Sequence, residues 1–375
     1  MINTKSCSLF LSFAVLGWLL VKSICASAED LPESLFAFQS PPASFRIDPD
    51  AYRSPLFFEN DSPVISTNDW KKRRKQIHQA WMDVMGPWPD LLENNSMQIG
   101  EASDSGDYFQ HRVILNITPD QSAPGWLLLP KGAGPFPSAL VVFYDPETSV
   151  GSKEDKPGRD FGRLLAQEGI ATLNIGTPGG NAWKPDIGDA KCQPLSFHAY
   201  VAANSWYAMA NHAQLDASRI GIVGHSYGGK WAMFAAALWE RFAAVAVSDP
   251  GIVFDESRPN VNYWEPWYLG LDWNQPKSRS GMPSPTNPRT GAYRTMIEKG
   301  MDLHELHSLI APRPFLVSGG SEDPIERWNA LHHLAEVNQL LGYQARVFFT
   351  QRKGHGPTTE SNEQLVTFFK YFLNP

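Results

Sequence analysis

The 375-residue chain has few cysteines, few charged side chains and a single long apolar run. Two of its three cysteines, Cys7 and Cys25, lie within or beside that run near the N-terminus. If the N-terminal segment is removed, Cys192 alone remains, and one cysteine excludes an intrachain disulfide. Cys192 has no CxxC partner, which predicts an inert thiol rather than a nucleophile or a metal ligand.

Basic residues are also scarce, with 32 Lys and Arg against 39 Asp and Glu and a formal net charge of −7. This balance argues against nucleic acid as a partner. The one dense basic run, residues 71–75, lies in a helical pattern that begins near Asn68 and ends at Gly86. We interpret the run as the solvated face of that helix, opposite an apolar face formed by Trp70, Ile77, Trp81 and Met85.

The apolar run, residues 9–21, follows the positive charge of Lys5 and precedes the small residues 26–28. This order predicts a secretory signal peptide over residues 1–28, and hence a secreted or periplasmic protein. A membrane anchor is the alternative, but the run is shorter than the roughly 20 residues that a spanning helix needs. After removal of the signal we expect no stable membrane insertion, since no other run is long enough.

The mature chain divides into an extended leader, residues 29–67, and a larger domain, residues 68–375. After an early pair of β-strands, short apolar strands alternate with helices, which predicts an α/β fold with a mostly parallel sheet covered by helices on both faces. The alternation is interrupted at about residues 249–296, where an aromatic-rich segment is too long for a plain connection. We expect this insertion to cover the carboxyl ends of the strands, where such sheets bind ligands.

One strand-to-helix junction carries Gly224-His225-Ser226-Tyr227-Gly228, a G-x-S-x-G pattern. In that context the pattern predicts a sharp, strained turn that lifts the Ser226 hydroxyl clear of the sheet. Glycine is required at both flanking positions because side chains there would collide with the neighbouring strand and helix.

A serine nucleophile needs a base within hydrogen-bonding reach and an acid that orients the base. In chains with this junction the acid and then the histidine follow the serine. We predict Asp323 as the acid and His355 as the base, because both follow predicted strands. Glu322 and, with lower weight, Asp249 remain alternatives for the acid.

The reaction intermediate also requires hydrogen-bond donors for its oxyanion. The backbone N–H of Tyr227 is the expected first donor, and Tyr144 or Asp145 supplies the second. Two histidines in the helix-like run 302–307 lack the spacing and the third ligand of a metal site, so we predict no metal and no organic cofactor.

Three stretches, "GHSYGGKWA", "DLHELHSLIAPRPFLVSGG" and "RKGHGPT", resemble bacterial carbohydrate esterases of the α/β-hydrolase superfamily, namely glucuronoyl esterases and acetylxylan esterase relatives. The resemblance implies that Lys230, four positions after Ser226, contacts a sugar. The arginine that the family carries directly after the serine is replaced here by Tyr227. Trp264 and Trp267 in the insertion are candidate substrate contacts, because flat rings stack on sugar faces.

These observations predict an exported serine hydrolase that cleaves carboxylic esters, on a plant-type polysaccharide or a small ester, through an acyl-enzyme. Glucuronoyl and acetyl esters are the expected substrates. A serine peptidase of the prolyl-oligopeptidase type is the first alternative, but only about 100 residues precede the sheet, too few for the propeller domain usual in such enzymes. The second alternative is a non-catalytic carbohydrate-binding protein on a hydrolase scaffold.

Overall fold

The fold is built on one nine-stranded sheet, seen in a computed structural model that describes residues 31–258, 263–274 and 281–373. The predicted signal peptide lies outside these residues. The strands run in the spatial order β1-β2-β3-β5-β4-β6-β7-β8-β9. Their bounds are β1 Met97–Asp104, β2 Tyr108–Asn116, β3 Ser122–Pro130, β4 Phe136–Val142, β5 Ala171–Ile175, β6 Leu215–His225, β7 Val245–Ser248, β8 Phe315–Gly319 and β9 Val347–Gln351.

The sheet has an antiparallel part and a parallel part. The first three strands form an antiparallel meander, and β3 pairs antiparallel with β5. The six strands from β4 to β9 all run parallel, so their carboxyl ends meet at one edge of the sheet. The predicted α/β fold is therefore confirmed. The parallel strands share one carboxyl edge, where the sequence places the candidate site.

Helices cover both faces of this sheet, as the continuous apolar strands require. The helices are α1 Glu33–Phe36, α2 Thr67–Met85, α3 Pro146–Ser149, α4 Phe161–Gln167, α5 Pro194–Ala210, α6 Tyr227–Leu238, α7 Gly291–Glu298, α8 Leu303–Ser308, α9 Trp328–Leu340 and α10 Thr359–Leu373. On β4, for example, Leu140 and Val142 pack into the core with residues of α5 and α6, whereas Ala139 and Val141 pack with residues of α4 and α10. Within the described residues, no helix is long and apolar enough to cross a membrane.

Helix α2 begins at the side-chain cap of Ser66, and its predicted apolar residues are buried. The interpretation of residues 71–75 as entirely solvated is wrong for one member, Arg73, which is only 3% exposed. Arg73 lies three residues after Trp70 and four before Ile77, and so falls on the buried face. Its charge is compensated by Glu305 of α8, whose carboxylate oxygen lies 3.0 Å from a guanidinium nitrogen.

The described part of the insertion packs against the body of the protein and includes α7. Most of its aromatic side chains are core residues: Tyr263 and Trp264 are fully buried, and Trp267 and Tyr268 nearly so. The insertion is held to α5 through Gln193, which exchanges two hydrogen bonds of 2.9 Å with the backbone of Leu271.

Candidate active site

Ser226 occupies the sharp turn between β6 and α6, with φ of 55° and ψ of −116°. A Cβ atom at Gly228 would lie 2.1 Å from the carbonyl oxygen of Val142, and one at Gly224 would lie 2.2 Å from the carbonyl oxygen of Gly228. Neither position can accept a side chain. The strained turn between obligatory glycines is therefore present as the G-x-S-x-G pattern predicts.

The Ser226 hydroxyl lies at one end of a chain of hydrogen bonds. Its Oγ is 2.9 Å from Nε2 of His355, and Nδ1 of the same ring is 2.8 Å from Oδ2 of Asp249. Ser226 follows β6, Asp249 follows β7 and His355 lies in the loop after β9. Three residues from three strand ends thus form a nucleophile, base and acid in hydrogen-bonding contact, the arrangement that activates a serine.

The acid at His355 is Asp249, so the prediction of Asp323 is wrong and so is the alternative Glu322. Asp323 is fully buried, and its oxygens accept the backbone N–H groups of Gly251 and Ile252. The Glu322 carboxylate lies instead 3.5 Å from the guanidinium of Arg258. The physical reason is strand order: β7 is the neighbour of β6, whereas β8 is one strand further from Ser226.

Asp249 and Asp323 hold each other's loops in place. The Asp249 oxygen Oδ1 accepts the backbone N–H groups of Glu322 and Asp323 at 3.1 and 2.9 Å. In return Asp323 accepts the N–H groups of Gly251 and Ile252, which follow Asp249 in the chain, at 2.8 and 2.7 Å. Burial and the charge of Asp249 raise the pKa of the Asp323 carboxyl to about 6. Asp323 therefore holds the loop that carries Asp249, whereas Asp249 itself contacts His355.

Arg352 fixes the loop that carries His355. Its guanidinium donates to the carbonyl oxygens of His355 and Ser318 at 2.8 and 2.7 Å, and to the hydroxyl of Ser248 at 3.1 Å. Sequence reasoning missed this residue, although an arginine three positions before the candidate base was a usable signal. Arginine suits the task because its planar fork reaches several acceptors at once.

The ring of His225 packs against the ring of His355, with centroids 4.7 Å apart. Its Nδ1 lies 3.1 Å from the carbonyl oxygen of Ser248. Burial lowers the pKa of His225 well below its ordinary value, so that ring stays neutral. A neutral neighbour does not repel the positive charge that His355 takes up when it accepts a proton.

The three residues predicted to supply oxyanion donors have different surroundings in the structure. Tyr227 is the first residue of α6, where a backbone N–H has no partner within its own helix. The Tyr144 ring stacks on that of Tyr227 with centroids 5.1 Å apart, and the Ser226 side chain is close enough to influence the phenol of Tyr144. Burial raises the pKa of Tyr144, which keeps the phenol protonated and able to donate.

The side chain of Asp145 is committed elsewhere. It caps α3 through the N–H of Thr148 at 2.8 Å, and it pairs with Lys153 at 2.9 Å. The pKa of the Asp145 carboxyl is lowered by these partners, so the side chain is an anion and not a donor. Its backbone N–H remains a predicted donor beside the phenol of Tyr144.

The predicted substrate contacts divide by burial. Lys230 is 3% exposed, its ammonium donates to the carbonyl of Pro250, and it lies 4.9 Å from the ring centre of Tyr263. Burial lowers the pKa of Lys230 to about 8. Lys230 therefore stabilises Pro250, the residue next to Asp249, and its predicted contact with a sugar is wrong in this structure. The predicted sugar contact of Trp264 is wrong as well, because that ring is fully buried.

Trp267 is only 6% exposed, and its contact with a substrate stays a prediction. A residue that sequence reasoning missed packs against it: the Trp267 ring meets that of Trp183 edge to face, with centroids 4.9 Å apart, and Trp183 is 63% exposed. A series of ring contacts leads from there to the nucleophile, because Trp267 touches Tyr268 and Tyr268 touches Tyr227. Trp183 lies in the loop after β5, at the same edge as Ser226.

Two matched substitutions separate the acid from its support. Asp249→Asn and Asp323→Asn both change a fully buried carboxylate into an amide. We expect Asp249→Asn to lower kcat about 10⁴-fold, because the neutral amide no longer holds His355 in the productive tautomer. Asp323→Asn should lower kcat by about 10²-fold or less, through displacement of the acid loop. The measurement is steady-state ester hydrolysis, with melting curves to confirm that both variants fold. Equal losses, or a larger loss at Asp323, would contradict the assignment.

Removal of one hydroxyl tests the side-chain oxyanion donor. Tyr144→Phe keeps the stacked ring but loses its donor, so kcat should fall about 10²- to 10³-fold with little change in KM. Tyr207→Phe, a matched change on α5 at a ring that packs on Trp206 and Trp239, serves as the control. An unchanged kcat in Tyr144→Phe would remove Tyr144 from the site.

Comparison with known proteins shows which proteins this chain resembles. The chain is 21% identical over 357 residues to a 4-O-methyl-glucuronoyl methylesterase of Phanerochaete carnosa, a match that covers 89% of this chain and 84% of the relative. A solved glucuronoyl esterase from Solibacter usitatus superposes with a TM-score of 0.65 at 18% identity, over 88% of this chain and 98% of that one. A putative acetyl xylan esterase from Bacteroides fragilis has a TM-score of 0.54 at 15% identity, over 85% and 87% of the two chains.

The likeness to the solved structures confirms the α/β-hydrolase fold. The sequence model of the prolyl oligopeptidase family, Peptidase_S9, matches residues 164–374. This range includes Ser226, Asp249 and His355. This match spans more than half of the chain, and the protein therefore belongs to the prolyl oligopeptidase family of α/β-hydrolases.

Proposed function

We propose that the protein is an exported serine esterase that hydrolyses carboxylic esters on plant-type polysaccharides. The observation that carries the proposal is the unbroken relay from Ser226 through His355 to Asp249, with two donors beside the nucleophile. We infer that residues 68–375 form the catalytic domain and that residues 1–28 direct export.

The reaction follows from the positions of these atoms. Ser226 Oγ attacks the ester carbonyl carbon while its proton passes to Nε2 of His355, and Asp249 stabilises the resulting imidazolium. The N–H of Tyr227 and the phenol of Tyr144 donate to the oxyanion. The C–O bond then breaks, His355 returns the proton to the leaving alcohol, and water releases the acyl group by the same steps in reverse.

Two observations favour a sugar ester. The relatives named above act, by their names, on glucuronoyl or acetyl xylan esters. The exposed face of Trp183 lies beside Trp267 at the edge that carries Ser226, a position suited to a sugar ring of a polymer. The replacement of the family's arginine by Tyr227, together with the hydrogen bond that commits the Lys230 ammonium to the carbonyl of Pro250, leaves acetyl and glucuronoyl esters as joint candidates.

A peptidase is the second candidate, because the family to which the chain belongs is named for prolyl oligopeptidase. The relay of Ser226, His355 and Asp249 is equally able to cleave an amide. The two candidates differ in the chemistry of the substrate that fits above the relay, and a substrate panel separates them.

The panel consists of methyl glucuronate, acetylated xylan, a feruloyl ester and an aminoacyl-proline anilide. We expect turnover of the first or second substrate, and a loss of about 10⁴-fold or more in Ser226→Ala. A fluorophosphonate probe should label the parent protein and not the variant. Cleavage of the anilide alone would establish the peptidase, and polysaccharide binding without labelling would indicate a non-catalytic protein.

Trp183 provides a test of the polymeric substrate. Trp183→Ala removes an exposed ring and should lower kcat/KM on the polysaccharide about threefold to tenfold, the effect of losing one aromatic contact. Hydrolysis of a small p-nitrophenyl ester by the same variant is the control and should be unchanged. Equal losses on both substrates would show that Trp183 supports the fold of the site instead.

A further inference from the structure

Away from the relay, helix α9 brings together three side chains with metal-binding groups. His332, His333 and Glu336 each present one such atom, and these three atoms lie within 4.8 Å of one another. Positions 333 and 336 are three residues apart, and 332 and 336 four, so all three belong to one patch of the helix surface. The imidazole rings lie side by side, with centroids 3.8 Å apart.

The two imidazoles are buried without adequate hydrogen-bond partners. His332 is 8% exposed and His333 1% exposed. Neither nitrogen of His332 makes a directed hydrogen bond, although the carbonyls of Trp328 and Asn329 lie close by, and Nε2 of His333 has none either. Because a buried polar atom without a partner costs free energy, such a pair calls for an explanation.

The neighbouring side chains do not supply the missing partners. His304 of α8 lies with its ring 5.5 Å from that of His333, and its Nε2 is already 2.8 Å from the carbonyl oxygen of Arg53. An oxygen of Glu336 lies 3.5 Å from Nδ1 of His333, at the distance of an ion pair. That contact leaves both nitrogens of His332 unsatisfied.

The carboxylate connects the two buried imidazoles to solvent. The side chain of Glu336 is 48% exposed, so an ion can enter from solvent.

We propose that His332, His333 and Glu336 bind a divalent transition-metal ion of the zinc type. Two nitrogens and one carboxylate oxygen form a donor set that Zn²⁺ uses in proteins, whereas Mg²⁺ and Ca²⁺ prefer oxygen alone. The site was not foreseen from the sequence, which drew attention to the histidines of run 302–307. We assign the ion a structural role, because α9 carries no residue of the relay and its Asn329 accepts the N–H of Asp48 in the leader at 3.0 Å.

The test uses the whole protein without a histidine tag, freed of metal by a chelator. Titration calorimetry at pH 7.5 should show one Zn²⁺ ion bound per chain, with no heat from Mg²⁺. Excess Zn²⁺ should raise Tm by about 4 °C, because it binds only the folded state. Co²⁺ in place of Zn²⁺ should give a visible absorption band from its nitrogen and oxygen ligands.

Variants locate the site. Glu336→Gln and His332→Asn should each weaken Zn²⁺ binding about tenfold or more, and should abolish the Co²⁺ band. Glu326→Gln, an exposed acidic residue just before α9, is the matched control and should bind as the parent does. Glu336 is half-exposed, so its variant is expected to fold. Absence of Zn²⁺ binding, equal binding of Mg²⁺, or unchanged affinity in both variants would overturn the proposal.

Discussion

The carboxylates of Asp249 and Asp323 each accept hydrogen bonds from the backbone of the loop that carries the other. This exchange joins the loops that follow β7 and β8 directly at the carboxyl ends of the two strands. Four backbone N–H groups donate hydrogen bonds to the two buried carboxylates, so that neither the N–H groups nor the carboxylates are left without a partner. The ammonium of Lys230 donates to the carbonyl of Pro250, the residue after Asp249, and so places a positive charge beside the same loops. The acid is thereby held at one distance from His355.

Two of the four residues other than glycine that have positive φ in the described part of the chain lie where this exchange and the nucleophile meet. Ser226 and Asp249 both have positive φ, at 55° and 51°. Residues other than glycine adopt this conformation only where their surroundings require it. The hydrogen bond from the Ser226 N–H to the carbonyl of Ser248, at 2.8 Å, ties the two strained turns together. Strain, burial and hydrogen bonding thus serve the same pair of side chains.

The aromatic side chains around the site differ in their exposure. The inner rings of the insertion, Tyr263, Trp264 and Tyr268, are buried, and Tyr263 and Tyr268 give the buried ammonium of Lys230 an electron-rich face. Trp267 is nearly buried, whereas Trp183, which packs against it from the loop after β5, is exposed to solvent. Aromatic richness in a sequence predicts an apolar cover, but burial alone separates a core ring from a ring that can meet a ligand.

Much of the molecule was determined by its sequence alone. The alternation of apolar strands with helices predicts the parallel sheet, and the glycines around Ser226 permit one kind of turn only, because any Cβ there collides with the backbone. His355 was found for the same reason, as a histidine after the last strand. These signals are local, because the physical cause of each structural feature lies within one short stretch of the chain.

Tertiary structure decided the rest, because the deciding contacts join residues far apart in the chain. Asp249 and Asp323 each follow a parallel strand, and only the order of strands places Asp249 nearer to the nucleophile. Arg73 appears solvated in its run of basic residues until Glu305, more than 200 positions away, is seen beside it. The same holds for Trp183, whose neighbour Trp267 comes from another loop. A local pattern determines the conformation of its own segment, whereas the partner of a charge or a ring depends on which segments the folded sheet brings together.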